Sequence, residues 1–279
     1  MATTTAVPGA RHAALPSATG RAGLAGAVRS EWTKIRSVRS TYWTLGALIV
    51  VGIGLGAAIC AATASNFSQP GNHFLFDATA RSQTAFVELG QLVLMVLGAL
   101  VITAEYSTGM IRTSLTSQPR RGTVYLGKGI VFTAMALVVS LVTSFIAFFV
   151  GQALLHSTGH AATLSDPNVM RAVVGSALYV GVIGLMAFAF GAIIRHTAGT
   201  IAAMVGILFI LPLIVDVLPA SWNDDINKWL PSSAGEALLS TIGRPGSNLY
   251  SAWPQFAITA AYTVILLIVG AVMFRKRDA

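Results

Sequence analysis

Six long apolar runs alternate with short polar connections along the chain. Each run is continuously apolar over about 20 residues, which is the length of a membrane-spanning helix, and none alternates with the period of two that a barrel strand requires. The runs occupy approximately residues 43–64, 86–104, 130–152, 172–194, 198–219 and 254–274. The pattern therefore predicts an all-α integral membrane protein with six transmembrane helices.

A shorter helical pattern precedes the first run, over residues 24–42. Large apolar residues recur there at spacings of three and four, which places them in one stripe along a helix. Glu31 and Arg39 fall on this stripe or at its edge, where a charge must pair or extend to water. The pattern predicts an amphipathic interfacial helix, and a basic flank that only sets topology is the alternative. The residues assigned to the interfacial helix are Trp32, Lys34, Ile35, Arg36 and Arg39.

The composition supports a membrane protein and leaves little chain for anything else. Hydrophobic residues make up 54% of the 279 residues, charged residues 10%, and the mean hydropathy is +0.72. Soluble domains carry about a quarter charged residues. Six spans leave no room for an independent soluble catalytic domain. Residues 1–23, which are rich in Ala, Gly, Pro and Thr, are predicted to form a disordered tail.

The 18 Lys and Arg residues are distributed unevenly between the two sides of the membrane. With six spans, fourteen of them fall at the termini and in the second and fourth connections, and four fall on the other side. The positive-inside rule then places both termini and the segment 105–129 in the cytoplasm. The basic residues flank the spans, so we expect contact with membrane lipids and no nucleic acid partner.

The connection at residues 220–253 is the longest on the outer side. It contains Trp222 and Trp229, and Trp253 closes it. Because aromatic residues favour the membrane interface, the loop is expected to fold back onto the outer leaflet.

No catalytic or metal-binding motif is evident in the sequence. Residues 122–128 match the GxxxxGK pattern of a nucleotide-binding loop, but they lack the following Ser or Thr that would hold magnesium, and no strand precedes them. We therefore expect neither ATP binding nor a metal site in this chain. If ATP drives the protein, a separate subunit binds the ATP and magnesium.

Two acidic residues lie in or near the spans. Glu88 and Asp216 are candidates for a transport path, because ionisable groups in membranes are costly. Both map near the outer ends of their spans, where simple contact with interfacial water is the alternative. Pro212 is expected to break or kink the fifth span, so Glu88, Pro212 and Asp216 form a candidate path or gate.

Four segments together resemble the permease subunits of ATP-binding-cassette transporters of the type-2 exporter class. RSEWTKIRSVRSTYWT, residues 29–44, resembles the family's N-terminal signature, and EYSTGMIRTSLTSQPRR, residues 105–121, resembles the segment after its second span. WLPSSAGEALL, residues 229–239, resembles its outer loop, and FRKRDA, residues 274–279, resembles a common C-terminal ending.

The resemblance implies an ATP-driven exporter in the plasma membrane of a bacterium. It implies a cytoplasmic coupling helix within residues 105–121 that docks on the ATPase, two copies of that ATPase, and a second permease copy or a paralogue. An ion-coupled secondary transporter and a membrane assembly factor are the alternatives. The residues assigned to ATPase coupling are Glu105, Tyr106, Met110, Ile111, Arg112 and Leu115.

Overall fold

The computed structural model describes residues 23–66, 76–107, 121–242 and 251–276. Within these ranges the regular structure is helical and contains no strand. Six helices are long and apolar enough to cross a membrane, which confirms the predicted all-α, six-span architecture. The predicted tail lies outside the described residues except for Gly23. The six spans are α2 (Arg39–Asn66), α3 (Ala78–Tyr106), α4 (Gly122–Thr158), α5 (Val169–Ile194), α6 (Thr197–Asp216) and α9 (Ala252–Lys276).

Three shorter helices accompany the spans within the described ranges. Helix α1 (Leu24–Ser37) precedes the first span, and α7 (Ala220–Asn227) and α8 (Pro231–Leu239) lie between the last two spans. The backbone at Val38 is extended, with φ −89° and ψ 112°, so α1 ends at Ser37 and a new helix begins at Arg39. The amphipathic pattern over residues 24–42 is therefore divided between α1 and the first turn of α2.

Helix α3 begins at Ala78 instead of near residue 86. Asp77 caps it, since its Oδ1 atom accepts a hydrogen bond of 2.8 Å from the backbone N–H of Ala80. A good N-cap allows a helix to start in polar sequence that hydropathy alone assigns to a loop. As a result Glu88 lies in the body of α3 and not in its first turns. Its position near the outer surface of the membrane stays a prediction.

Helices α3 and α5 form the centre of the bundle and are the most buried of the six spans. At one crossing Gly98 faces Gly184 so closely that a Cβ atom on Gly98 would collide with the Gly184 carbonyl oxygen. Small residues permit such close approach between membrane helices, where packing drives association. By contrast, α2, α6 and α9 are the least buried spans.

Three spans contain a short π-helical segment. These segments are Val50–Leu55 in α2, Phe86–Gly90 in α3 and Gly206–Ile210 in α6. The second contains Glu88, and the third ends two residues before Pro212. Because proline has no N–H to donate, a departure from α-helical geometry at this place in α6 has a direct cause.

The loop between α6 and α9 folds back onto the bundle, at the end that we call the loop end. Ala234 and Leu238 of α8 are buried, whereas Trp222 and Trp229 are exposed. The guanidinium group of Arg171 holds the end of α8 by donating hydrogen bonds to two carbonyl oxygens. The acceptors are those of Ala237, at 3.1 Å, and Ser240, at 2.8 Å.

Candidate functional site

Four charged side chains meet at the end of the bundle opposite the loop end. The Nζ atom of Lys128 lies 2.7 Å from Oε2 of Glu31 and 2.9 Å from Oε1 of Glu105. The Nζ atom of Lys34 lies 2.8 Å from Oε1 of Glu31 and 3.0 Å from Oε1 of Glu105. The four ion pairs close a ring of alternating charge, which we call the ion-pair ring.

The ion-pair ring joins three helices. Glu31 and Lys34 belong to α1, Glu105 lies at the end of α3, and Lys128 lies in the second turn of α4. The connection between α3 and α4 therefore has one ring member on each side of it.

Three of the four ring members are almost completely buried. Glu31, Glu105 and Lys128 retain 4%, 7% and 3% of their accessible surface. Buried charges are tolerated when they are paired and hydrogen-bonded, and the two carboxylates here are balanced by two ammonium groups. One carboxylate oxygen, Oε2 of Glu105, is buried without a hydrogen-bond partner among the described residues.

Lys34 is the most exposed member of the ion-pair ring. Its partial burial opposes the charged form, but hydrogen bonds and charge interactions with Glu31 and Glu105 outweigh that effect. The net result is a pKa raised above the ordinary lysine value. Lys34 is therefore charged at physiological pH and available to both carboxylates.

Small residues bring α1 close enough to α4 for the ring to form. Ala27, Glu31 and Lys34 lie on one face of α1 because they are spaced by four and three residues. A Cβ atom on Gly127 would lie 2.9 Å from the Cβ of Ala27, which real contacts do not allow. The glycine and lysine of the apparent nucleotide-loop motif thus serve helix packing and charge pairing.

Four aromatic side chains beside the ion-pair ring pack together across the bundle, and we call them the aromatic layer. They are Tyr106, Tyr125, Phe188 and Phe274. The ring centroid of Tyr125 is 5.3 Å from that of Phe188 and 5.6 Å from that of Phe274. Tyr106 packs edge-on against Phe274, and the guanidinium carbon of Arg195 lies 5.0 Å from the centroid of Tyr106. The layer links α3, α4, α5 and α9 to the residue that ends α5.

Arg195 occupies the turn between α5 and α6. Its backbone is left-handed, with φ 60°, and its side chain donates a hydrogen bond of 3.3 Å to the carbonyl oxygen of Met273. The next residue, His196, caps α6 through Nδ1, which accepts from the backbone N–H of Gly199 at 3.1 Å. The turn is thereby fixed to α9 on one side and to α6 on the other.

The predicted coupling residues divide into two groups. Glu105 is buried in the ion-pair ring and Tyr106 lies in the aromatic layer, so both face the bundle. The other four lie outside the described residues; they are Met110, Ile111, Arg112 and Leu115.

The predicted interfacial residues have different environments. Lys34 joins the ion-pair ring and Ile35 packs against the core. Trp32, Arg36 and Arg39 are exposed.

The candidate path residues lie away from the ion-pair ring. Pro212 and Asp216 line a cavity of about 920 Å³ at the loop end, which Glu236 of α8 also lines. Glu88 does not line this cavity, although it is near enough to Glu236 for their charges to interact. The structure therefore brings Pro212 and Asp216 together and leaves Glu88 in the body of α3.

Sequence reasoning missed the role of Lys128. It was assigned to the basic flank of a span and to a nucleotide-loop resemblance, and neither assignment predicts a partner. A signal was present, because Glu31 is an acid inside a strongly basic segment and cannot remain unpaired if its helix packs on a span.

The fold and the site define a multi-pass α-helical membrane protein with a buried ion-pair ring at one end of its bundle. Among the described residues there is no group of three His, Cys, Asp or Glu side chains arranged to hold a metal ion. The model of the ABC-2 family transporter proteins matches residues 29–279, and the chain belongs to this family. It is a membrane permease of an ATP-binding-cassette transporter, a class that associates with an ATPase of that type. A comparison with curated proteins finds no match.

Proposed function

We propose that this permease belongs to an ATP-driven exporter and is moved by a separate ATPase through the connection between α3 and α4. The observation that carries this proposal is the ion-pair ring. Glu105 precedes that connection and Lys128 follows it, and both are paired with residues of α1. The connection and α1 therefore form one mechanical unit at the end of the bundle.

The ion-pair ring determines which helices move together. Breaking a buried ion pair by separating its partners costs about 3–5 kcal/mol, so a displacement that keeps the ring intact is preferred to one that opens it. When the connection moves, the ends of α3 and α4 carry α1 with them. The aromatic layer extends this displacement to α9, and Arg195 extends it to the turn between α5 and α6.

We place the end of the bundle that carries the ion-pair ring in the cytoplasm, because most of the Lys and Arg residues flank the spans at that end. The interfacial stripe of α1 then meets lipid at the cytoplasmic face, with exposed Trp32 at the interface. In this arrangement the ATPase binds ATP and magnesium, and the permease chain provides no cofactor. The membrane is the bacterial inner membrane.

The assembly that we propose contains two permease copies and two ATPases. Six spans enclose little volume on their own, and α2, α6 and α9 leave apolar faces exposed to lipid or to a second copy. The second copy is either identical to this chain or a paralogue. Residues 108–120, which include Met110, Ile111, Arg112 and Leu115, provide the contact with the ATPase.

One observation favours ion-coupled transport instead, because Glu88 is an ionisable residue within a span. Membership of the ABC-2 family favours ATP-driven transport over both this alternative and an assembly factor. The export direction follows from the resemblance to the type-2 exporter class.

The proposal is tested by purifying the tagged chain from its native host and identifying ATP-binding-cassette ATPases that copurify with it. We expect an ATPase in equal amount to the permease, with an ATP hydrolysis rate that differs from that of the ATPase alone. Substituting Arg112→Ala or Met110→Ala should weaken association roughly tenfold, which is the effect of losing one interface anchor. Arg81→Ala is the matched control, since Arg81 is exposed and lies at the loop end.

Two results would refute the proposal. One is a permease that purifies without any ATPase under conditions that preserve its fold. The other is unchanged association and unchanged hydrolysis in both the Arg112 and the Met110 variants.

A further inference from the structure

The cavity at the loop end is large and polar. It has a volume of about 920 Å³ and lies where α5, α6 and α9 meet the loop helices α7 and α8. Binding sites for small organic molecules typically have volumes of about 300–1,000 Å³. The cavity is therefore large enough for a drug-sized ligand.

Among the described residues that line the cavity, the charged groups are predominantly acidic. Asp216, Asp224 and Glu236 contribute three carboxylates, and Arg171 contributes one guanidinium group. That guanidinium group already donates hydrogen bonds to the carbonyl oxygens of Ala237 and Ser240. The cavity thus favours a ligand that carries positive charge.

Gln255 provides an independent indication of a ligand. It lines the cavity and is only 1% exposed, yet neither its Oε1 nor its Nε2 atom has a hydrogen-bond partner among the described residues. The other buried glutamines are satisfied: Gln83 donates to the carbonyl oxygen of Ser144, and Gln152 to that of Ala78. An unsatisfied buried amide is costly unless something supplies its hydrogen bonds. A ligand that carries a hydrogen-bond donor would satisfy the Oε1 atom.

Trp253 also lines the cavity and is 48% exposed. Aromatic faces, and tryptophan in particular, attract organic cations. A divalent metal ion is a poorer fit, because among the described residues no three His, Cys, Asp or Glu side chains are grouped to hold one. The lining therefore favours an organic cation over an inorganic one.

We propose that this cavity binds an organic ammonium cation that also carries hydrogen-bonding groups. The carboxylates of Asp216 and Asp224 attract its charge, Trp253 offers an aromatic face, and Gln255 exchanges hydrogen bonds with its polar groups. Binding itself requires no ATPase. The use of the cavity as the outer end of a transport path rests on the proposed function.

The test uses the purified full-length chain, without an ATPase, in nanodiscs of zwitterionic phosphatidylcholine. The probe is ethidium, an aromatic cation with two amino groups, and its binding is followed by fluorescence anisotropy. We expect saturable binding that Asp224→Asn weakens by roughly fivefold to tenfold, because it removes one charge near the ligand.

Asp225→Asn is the matched control. Asp225 is the neighbour of Asp224 on α7, but it pairs with Lys228 at 2.8 Å and does not line the cavity. The two variants change the net charge equally, so a general electrostatic attraction would weaken both to the same extent. We expect Asp225→Asn to bind ethidium as the unmodified chain does.

The Gln255→Leu variant tests whether the side-chain amide of Gln255 binds the ligand or stabilises the fold. The substitution removes an unsatisfied buried amide, so the ligand-free protein should unfold at a higher temperature while its affinity for ethidium falls. A lower unfolding temperature together with unchanged affinity would show that the amide serves the fold.

Three results would overturn the proposal. They are equal weakening by Asp224→Asn and Asp225→Asn, equally tight binding of the anion fluorescein, and displacement of ethidium by magnesium ions at micromolar concentration. Failure here differs from failure of the proposed function. A chain that binds ethidium but never associates with an ATPase refutes only the coupling, and a coupled complex that binds no ethidium refutes only the cation site.

Discussion

The Nζ atom of Lys128 lies 2.7 Å from Oε2 of Glu31, although 97 positions separate the two residues in the chain. This pair fixes α1 to the start of α4. Glu105 adds the end of α3, because its Oε1 atom lies within 3.0 Å of both lysines. The helix ahead of the first span is thus fixed to the two spans that flank the proposed ATPase contact.

Replacing Lys128 with methionine should destabilise the protein strongly. The substitution leaves two buried carboxylates with only Lys34 to neutralise them, and we expect a loss of about 3 kcal/mol, the lower end of the cost of breaking a buried ion pair. Thermal unfolding in detergent measures the effect. Lys228→Met is the control, since Lys228 pairs with an exposed aspartate and should cost less than about 1 kcal/mol. If Lys128→Met and Lys228→Met lower the free energy of unfolding equally, the ion-pair ring does not stabilise the fold more than a surface ion pair does.

Removing the charge of Glu31 together with that of Lys128 should cost less than the two single changes combined. Glu31→Gln leaves an excess of positive charge in the ring and Lys128→Met leaves an excess of negative charge, whereas the double variant restores the balance. We expect a coupling energy of about 1–3 kcal/mol, as found for residues in direct contact. Strictly additive losses in unfolding free energy would show that the pair does not interact.

The six spans could be predicted from the sequence because a bilayer imposes a length and a composition on each of them. The loop at residues 220–253 was expected to fold back onto the outer leaflet, and this stays a prediction. The structure shows its helix α8 packed on the bundle through Ala234 and Leu238. Helix ends were harder to predict. Asp77 starts α3 within polar sequence, so the helix begins before the apolar run and Glu88 does not lie in its first turns.

The ion-pair ring could be predicted only in part. Glu31 was expected to pair or to extend to water, and Glu105 was assigned to the coupling region. The ring that joins them also needs α1 to pack on α3 and α4, because Lys34 meets Glu105 across 71 positions and Lys128 meets Glu31 across 97. Hydropathy does not encode such contacts. Lys128 was further obscured by a motif resemblance, since Gly127 and Lys128 have the spacing of a nucleotide loop while serving helix packing.

Lys34 should make the stability of the protein depend on pH in the alkaline range. Burial lowers its pKa, but Glu31 and Glu105 more than offset this, so the folded-state pKa lies above the ordinary value of 10.5. A raised pKa means that the pairing stabilises the fold in full below the unfolded-state value and that the stabilisation is lost as the pH rises through the folded-state value. We expect the difference in thermal stability between the unmodified chain and Lys34→Met to stay constant between pH about 7 and about 9 and to shrink above pH about 10.5. A difference that already disappears between pH about 7 and about 9 would contradict this assignment.

Replacing Gly127 with alanine should destabilise the protein. The added methyl group would lie 2.9 Å from the Cβ of Ala27 and 3.2 Å from its carbonyl carbon, so α1 has to move away from α4. We expect a loss of about 1–3 kcal/mol, as for overpacked sites, and faster hydrogen exchange along α1.

Gly46→Ala is the control for this substitution, because no atom lies within 4 Å of its added methyl group. Alanine is the better helix former, so this variant should be as stable as the unmodified chain or more stable. A second change tests the cause directly. Ala27→Gly removes the facing methyl group and should restore part of the stability lost in Gly127→Ala. If the double variant is no more stable than Gly127→Ala alone, the close contact between these two residues is not what holds α1 against α4.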